Sequence, residues 1–147
     1  PMADDAEKKT EHDMMGFLLQ LYTEHYSKPG FKEFLATVPC KSLAGDHEYF
    51  DGKGSYDKDD LPPVMAKISS VAERFYLLFQ HHTTKKSATD AGLIGPVKDT
   101  LLTSYNYFLQ FDTMAFYGLD TRTQRTLRQV SSPESLDLMF QKFKGTE

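Results

Sequence analysis

The sequence predicts an all-α protein, a single domain of about five to six helices packed as an irregular or orthogonal bundle. Apolar residues return every three or four positions along several segments, which is the period of a helix. Capping residues precede these segments, and glycine or proline follows them. No segment alternates convincingly in the way of a half-buried strand. A chain of 147 residues fits one domain, so we expect residues 1–147 to form it, with a flexible N-terminus over 1–9.

Four segments carry the helical pattern with clear beginnings or ends. The first repeats its apolar residues at spacings of four and three and ends at a Pro-Gly pair. The third begins at Pro62 or Pro63, which suits a first helical turn, and its apolar stripe runs from Val64 to His82. Ser132 is the expected N-cap of the last segment. The helices predicted from these patterns cover about 10–26, 31–37, 62–82 and 132–145.

A further long helix is predicted over about 96–117, at the centre of the bundle. Pro96 opens it, and its apolar residues form two adjacent stripes. The stripes consist of Val97, Leu101, Phe108, Phe111 and Ala115, and of Leu102, Tyr105, Leu109 and Phe116. A helix that is apolar over more than half its girth belongs in a core. Thr121 and Gln124 then form a capping-box pattern, which predicts a short helix that ends near Val130.

The composition excludes several classes of protein. The net charge of −4 lacks the basic excess of a domain that coats nucleic acid, so no nucleic-acid partner is expected. The longest apolar run, Phe75 to Phe79, is far too short to span a membrane. The single cysteine, Cys40, argues against a secreted domain built on disulfides. The expected location is therefore the cytoplasm or the nucleus.

Residues 40–60 predict a long surface loop that is acidic and contains glycine. Carboxylates are calcium ligands, but the spacing of a calcium-binding loop is wrong. Counting from Asp51, Pro62 takes the twelfth position, where a bidentate glutamate belongs. The histidines supply no metal motif either, since neither His-x-x-x-His nor Glu-x-x-His occurs. We therefore expect neither a metal nor a cofactor.

Two features predict a surface that binds a partner. Arg122, Arg125 and Arg128 recur every third residue and should project from the predicted short helix as a fan. Arginine suits carboxylate, phosphate and protein partners, and the alternative is that the fan closes on the chain's own acidic loop. In the last helix, Phe140 and Phe143 belong to an apolar stripe that could close the core or dock a partner.

These features predict a non-enzymatic helical interaction domain, such as an adaptor, a regulator or an effector. The expected partner is another protein, and a homodimer is one form of such an interaction. An enzyme is the least expected class, because no catalytic constellation survives inspection. Cys40, for example, has no base in a recognisable signature around it.

An alternative prediction is a helical bundle that binds a small apolar ligand or cofactor between its long helices. Asp112 would be the polar anchor of this pocket, because its helical neighbours are apolar. If buried, its carboxyl group must be protonated or paired, with Arg122 or Arg125 as the expected partner. The residues predicted to line the pocket are Phe75, Phe79, His82, Tyr105, Phe108 and Asp112.

Overall fold

The computed structural model describes residues 2–56, 61–90 and 105–144. Its elements are the helices α1 (Met2–Tyr26), α2 (Phe31–Thr37), α3 (Pro63–Gln80), α4 (Lys85–Asp90) and α5 (Pro133–Lys144), and the strands β1 (Tyr107–Phe111) and β2 (Met114–Gly118). Helices and an antiparallel pair of strands occur together, so the predicted all-α class is wrong and the fold is mixed. None of the described helices is long and apolar enough to cross a membrane.

The described part of the predicted central helix is a β-hairpin. Strands β1 and β2 pair so that Phe108 lies opposite Tyr117 and Phe111 lies opposite Met114. Asp112 lies in the turn between them with a φ of 51°, a conformation that aspartate tolerates better than most residues. Aromatic residues favour strands, and this segment is rich in them. The remaining positions of the predicted helix, 96–104, lie outside the described residues.

The predicted short helix over 121–130 is also wrong, because the residues there form turns and bends. Asp120 accepts the backbone N–H groups of Arg122 and Thr123 at 2.9 Å each, which is the bonding of a helix N-cap, but residues 121–130 continue without a helix. The same bonds are those of a side-chain turn, which is the form the chain takes here. The three arginines of the predicted fan therefore do not share a helix face.

The other helices agree better with the periodicity. Helix α2 has the predicted bounds, and α3 and α5 lie within the segments predicted for them. Helix α1 begins at Met2, well before the predicted start at Thr10. Between α2 and α3, the described residues of the acidic segment contain neither a helix nor a strand.

Two compact units divide the chain. The helical unit consists of Pro1–Ser42 and Pro62–Thr83, and so contains α1, α2 and α3. The mixed unit consists of Leu43–Leu61 and Thr84–Glu147, and so contains α4, the hairpin and α5. That the whole chain is one domain stays a prediction.

The helical unit has an aromatic core between α1 and α3. The ring centroid of Tyr22 lies 5.0 Å from that of Phe79 and 5.9 Å from that of Phe75. Tyr26 lies 5.5 Å from Phe79. Such aromatic pairs contribute about 0.5–1.5 kcal/mol each beyond the burial of their area. An ion pair between Arg74 and Glu11, 3.0 Å long, joins the same two helices at the surface.

In the mixed unit, α5 packs on one face of the hairpin. The Phe143 ring lies 6.2 Å from that of Phe108 and 6.4 Å from that of Tyr117, the two residues paired across the strands. A two-stranded hairpin alone is marginally stable in water, so it needs such a covering helix. This contact holds the hairpin and α5 together, and the turns at 119–132 connect these two elements.

Candidate functional site

The interior of the mixed unit is unusual in being polar. The buried polar residues of the described chain all belong to this unit, and they are Asn106, Asp120, Gln124, Ser131, Ser132 and Ser135. Buried polar groups are costly unless they are hydrogen-bonded. A polar interior therefore indicates a network that specifies one conformation of the surrounding backbone.

Asp120 is the centre of this network. One of its carboxylate oxygens accepts the backbone N–H of Tyr105 at 2.9 Å, and the other accepts those of Arg122 and Thr123 at 2.9 Å. Its own backbone N–H donates to Oδ1 of Asn106 at 2.7 Å. Asp120 is 2% exposed, so these bonds are shielded from water. They fix the backbone from which the Arg122 side chain leaves.

The network continues to the N-terminus of α5. The Asn106 side-chain amide donates to Oγ of Ser135 at 2.9 Å. The Gln124 carbonyl oxygen Oε1 accepts from the Ser132 backbone N–H and from the Ser135 hydroxyl, both at 3.2 Å. Ser132 caps α5 by accepting the Ser135 N–H at 3.2 Å. The segment 119–132, which we call the arginine segment, is therefore held at both of its ends.

A second segment, residues 45–54, lies against the arginine segment, and we call it the acidic turn. Asp46 Oδ1 and Arg122 Nη2 are 3.8 Å apart, and each side chain is 24% exposed. Asp46 Oδ2 also accepts the backbone N–H of Gly52 at 3.2 Å. The pKa of Asp46 is lowered, first by its own backbone N–H and that of Gly52, and then by the charge of Arg122. A fixed carboxylate thus lies opposite a partly buried guanidinium.

Gly54 is a point of close approach between the two segments. A Cβ atom at this position would lie 2.7 Å from Cβ and Cγ of Arg125, and its φ of +85° favours glycine. The Arg125 stem therefore runs directly over the acidic turn. The neighbouring Lys53 places Nζ 3.2 Å from the centre of the Tyr49 ring, a cation–π contact.

Three cations, Lys53, Arg122 and Arg125, thus belong to two segments in contact, and we call them the cation cluster. Close to it in sequence, three buried polar atoms have no hydrogen-bond partner among the described residues. They are Thr123 Oγ1, Gln124 Nε2 and Ser131 Oγ. A buried group without a partner costs about 1–3 kcal/mol, so water or a ligand atom at these positions would be stabilised. Arginine and lysine are the residues that proteins use to bind phosphate and carboxylate groups, so these side chains are candidates for an anion site.

The residues of the predicted partner surface are spread over different surroundings. Arg122 is half-buried and lies 3.8 Å from Asp46 of the acidic turn, the contact that the alternative for the arginine fan described. Arg125 is half-buried, whereas Arg128 is exposed. Phe140 is exposed, while Phe143 packs on the hairpin. That these residues bind a partner protein stays a prediction.

The residues of the predicted ligand pocket divide between the two units. Phe75, Phe79 and His82 belong to the helical unit, where the first two rings stack 6.3 Å apart and His82 is exposed. Tyr105, Phe108 and Asp112 belong to the mixed unit. The expectation that Asp112 is enclosed by a central helix is wrong, because its side chain is exposed at the hairpin turn. The predicted set is thus divided between the two units, and the ligand pocket stays a prediction.

One group of possible metal ligands lies in the acidic turn. Ligand atoms of Asp46, His47 and Asp51 lie within 4.8 Å of one another. The His47 and Asp51 side chains are mostly exposed and form an ion pair of 3.3 Å with each other. Exposed acidic groups of this kind are common without an ion. The absence of a metal therefore stays a prediction.

Sequence reasoning missed the polar residues that organise this site, chiefly Asn106, Asp120, Gln124 and Ser135. None of them belongs to a recognised catalytic motif. The signal that could have found them is Asp120 itself, since an aspartate that follows a Gly-Leu pair and precedes threonines often forms a side-chain turn. The capping-box pattern of Thr121 and Gln124, one residue later, predicted a helix where the structure has turns.

Comparison with known proteins identifies the family to which this chain belongs. A family described as PhoD related phosphatase matches residues 3–145, so the chain belongs to that family. The prediction of a non-enzymatic interaction domain is therefore wrong, because the finding supports a phosphatase-like enzyme. An enzyme was the least expected class because the sequence contains no recognisable catalytic motif.

The chain is also similar to the uncharacterized protein YGR266W of Saccharomyces cerevisiae. The two are 27% identical over 126 residues, a stretch that covers 76% of this chain and 18% of the yeast protein. The chain thus spans less than a fifth of the length of that relative. No solved structure matches the chain.

Proposed function

We propose that the chain is part of a phosphatase and that its cation cluster binds the phosphoryl group of the substrate. The observation that carries the proposal is Arg122, whose backbone N–H is held by Asp120 and whose guanidinium is still partly open to solvent. The family supports the same chemistry. Because the chain spans only 18% of its yeast relative, the activity of a whole protein of this kind is part of the proposal.

The reaction is the hydrolysis of a phosphate ester. Water attacks phosphorus, the bond from phosphorus to the ester oxygen breaks, and the products are an alcohol and inorganic phosphate. Negative charge spreads over the phosphoryl oxygens in the transition state, so positioned cations are the main requirement. Arg122 and Arg125 meet this requirement for positioned cations, since a guanidinium group donates two parallel hydrogen bonds to phosphate oxygens. Lys53 adds a point charge on the acidic turn.

The proposal is tested by hydrolysis of para-nitrophenyl phosphate and by calorimetric titration with inorganic phosphate. A hydrogen bond to a charged group contributes about 1.5–3 kcal/mol, so Arg122→Ala should weaken phosphate binding roughly 10- to 100-fold. Arg125→Ala should have a similar but smaller effect, because the aliphatic part of the Arg125 side chain packs against the acidic turn in the native chain.

Arg128→Ala is the matched control. It removes the same charge from the same segment, but this side chain is exposed and lies outside the cation cluster. It should leave phosphate binding unchanged within a factor of about two. A native chain that neither hydrolyses the ester nor binds phosphate would contradict the proposal. So would equal losses for Arg122→Ala and Arg128→Ala. Thermal unfolding of each variant separates loss of binding from loss of folding.

We also propose that another protein, or a second copy of this chain, contacts α5. Leu138 and Phe140 on this helix are 40% and 57% exposed, and adjacent exposed apolar groups often mark such contacts. Light scattering over a range of concentrations tests the second-copy form, and a strict monomer at the highest concentration would count against it.

For location we propose the cytoplasm or the nucleus. The support is Cys40, which is exposed and free, as is common where thiols are kept reduced. Imaging of the tagged chain in cells tests this proposal, and accumulation in a secretory compartment would contradict it.

A further inference from the structure

Asp46 lies beside Arg122 without forming a close pair with it. The separation of 3.8 Å is well beyond the 2.7–2.9 Å of a charge-assisted hydrogen bond between these groups. Toward Asp46, its ion-pair partner among the described residues, the guanidinium therefore leaves donors available for another anion. At the same time, the carboxylate contributes negative charge at the place where a phosphoryl group would bind Arg122.

The acidic turn holds this carboxylate in position. The backbone carbonyl of Asp46 accepts the N–H groups of Tyr49 and Phe50, both at 2.9 Å. The side chain accepts the N–H of Gly52 at 3.2 Å. These bonds anchor Asp46 within its own segment, independently of Arg122. The carboxylate would lose its bond to Gly52 if it moved away from an arriving anion.

We infer that Asp46 determines the specificity of the cation cluster, because its carboxylate disfavours the binding of anions in proportion to their charge. The inference rests on the proposed function, since it assumes that Arg122 binds a phosphoryl group. Coulomb repulsion scales with the product of the charges, so a dianion is penalised twice as strongly in free energy as a monoanion. If the repulsion weakens the affinity for the monoanion by some factor, it should weaken the affinity for the dianion by the square of that factor.

The test titrates the full chain with two small probes at one pH. Methyl phosphate is a dianion at pH 8, and dimethyl phosphate is a monoanion. In Asp46→Asn the repulsion disappears, while the amide oxygen still accepts from Gly52. We expect methyl phosphate to bind roughly tenfold more tightly to this variant and dimethyl phosphate roughly threefold more tightly. Because the lowered pKa of Asp46 keeps it ionised at any neutral or alkaline pH, the native chain should show the full penalty.

Asp51→Asn is the matched control. Asp51 carries the same charge in the same turn, but its side chain is 87% exposed and paired with His47. Solvent screens its field, so its removal should change both affinities by less than about a factor of two. An equal gain for Asp51→Asn and Asp46→Asn would overturn the inference, because the effect would then be one of net charge alone.

The remaining outcomes separate this inference from the proposed function. If Arg122→Ala weakens binding but Asp46→Asn does not tighten it, the inference fails and the phosphate site stands. If Arg122→Ala leaves binding unchanged, the proposed function fails and the inference fails with it. Asp46→Ser is a second variant, should the asparagine disturb the fold. If Asp46 had only a structural role, Asp46→Asn would weaken the binding of both probes instead of tightening it.

Discussion

The helical unit and the mixed unit have cores of different chemistry. In the helical unit Phe75, Tyr76 and Leu77 are buried on α3, and the Tyr22 ring of α1 packs on Phe75. In the mixed unit the buried interior includes Asp120 and Gln124, which hydrogen-bond to backbone groups. Apolar burial is non-directional and tolerates changes of shape, whereas a polar network works only when its members are in place. The mixed unit is therefore the one built for placing side chains accurately.

The largest effect that tests this comparison comes from Asp120→Ala. The change leaves three backbone N–H groups without their acceptor, those of Tyr105, Arg122 and Thr123. We expect a loss of about 3–5 kcal/mol in the free energy of unfolding. Phe75→Ala, which deletes a buried ring of the helical unit, should cost about as much. Urea unfolding followed by circular dichroism measures both.

Asp137→Ala is the control for this prediction, because Asp137 is exposed on α5. It should change stability by less than about 0.5 kcal/mol. If Asp120→Ala proved as mild as Asp137→Ala, the polar interior would not be what holds the arginine segment. The comparison between the two cores would then lose its basis.

A smaller effect, of opposite sign in the two units, is expected from replacing glycine with alanine. Gly54 has a φ of +85°, and an added Cβ would collide with the Arg125 stem, so Gly54→Ala should cost about 2–3 kcal/mol. Gly16 lies inside α1 with nothing within 4 Å of its added Cβ. Gly16→Ala should therefore stabilise the chain by about 0.5–1 kcal/mol. Thermal melts measure both shifts, and the same sign for both would contradict the prediction.

The same difference explains what the sequence could predict of the fold. The stripe from Val64 through Leu78 identified α3 because its apolar residues face one partner at the helical period. The hairpin was missed because Tyr107–Gly118 is apolar nearly throughout, and such a run fits a buried helix and a strand equally. The deciding feature was the turn at Asp112, which is compatible with a positive φ.

The candidate site was less predictable than the fold. The arginines were predicted to bind a partner from their chemistry alone, and contact with the chain's own acidic loop was the stated alternative. Their arrangement depends on Asp120, which bonds to backbone groups near and far in the chain. Bonds to backbone leave no pattern of residue types, because any residue supplies the same N–H. This is the physical reason that the site is visible only in three dimensions.

A further predicted effect, on the pH dependence of stability, concerns His81, an ionisable group at the end of α3 in the helical unit. Its Nε2 shares a hydrogen bond of 2.7 Å with the hydroxyl of Tyr76. Its Nδ1 is buried without a hydrogen-bond partner among the described residues. Burial first, and then the charges of Lys41 and His82, lower the pKa of His81 from 6.5 to about 4. The neutral imidazole is therefore the form that fits this position.

Between these two pKa values the unfolded chain binds a proton that the folded chain does not, so stability falls as the pH falls from about 6.5 towards 4. The full shift would correspond to about 3 kcal/mol, but His81 is partly exposed and solvent screens its charge. We therefore expect a loss of roughly 1–2 kcal/mol between pH 7 and pH 4. His81→Asn should remove that part of the slope, whereas His82→Asn, at an exposed position where φ is 53°, should keep it. Urea titrations at several pH values measure the difference, and parallel slopes for the two variants would show that acid acts on the helical unit through other groups.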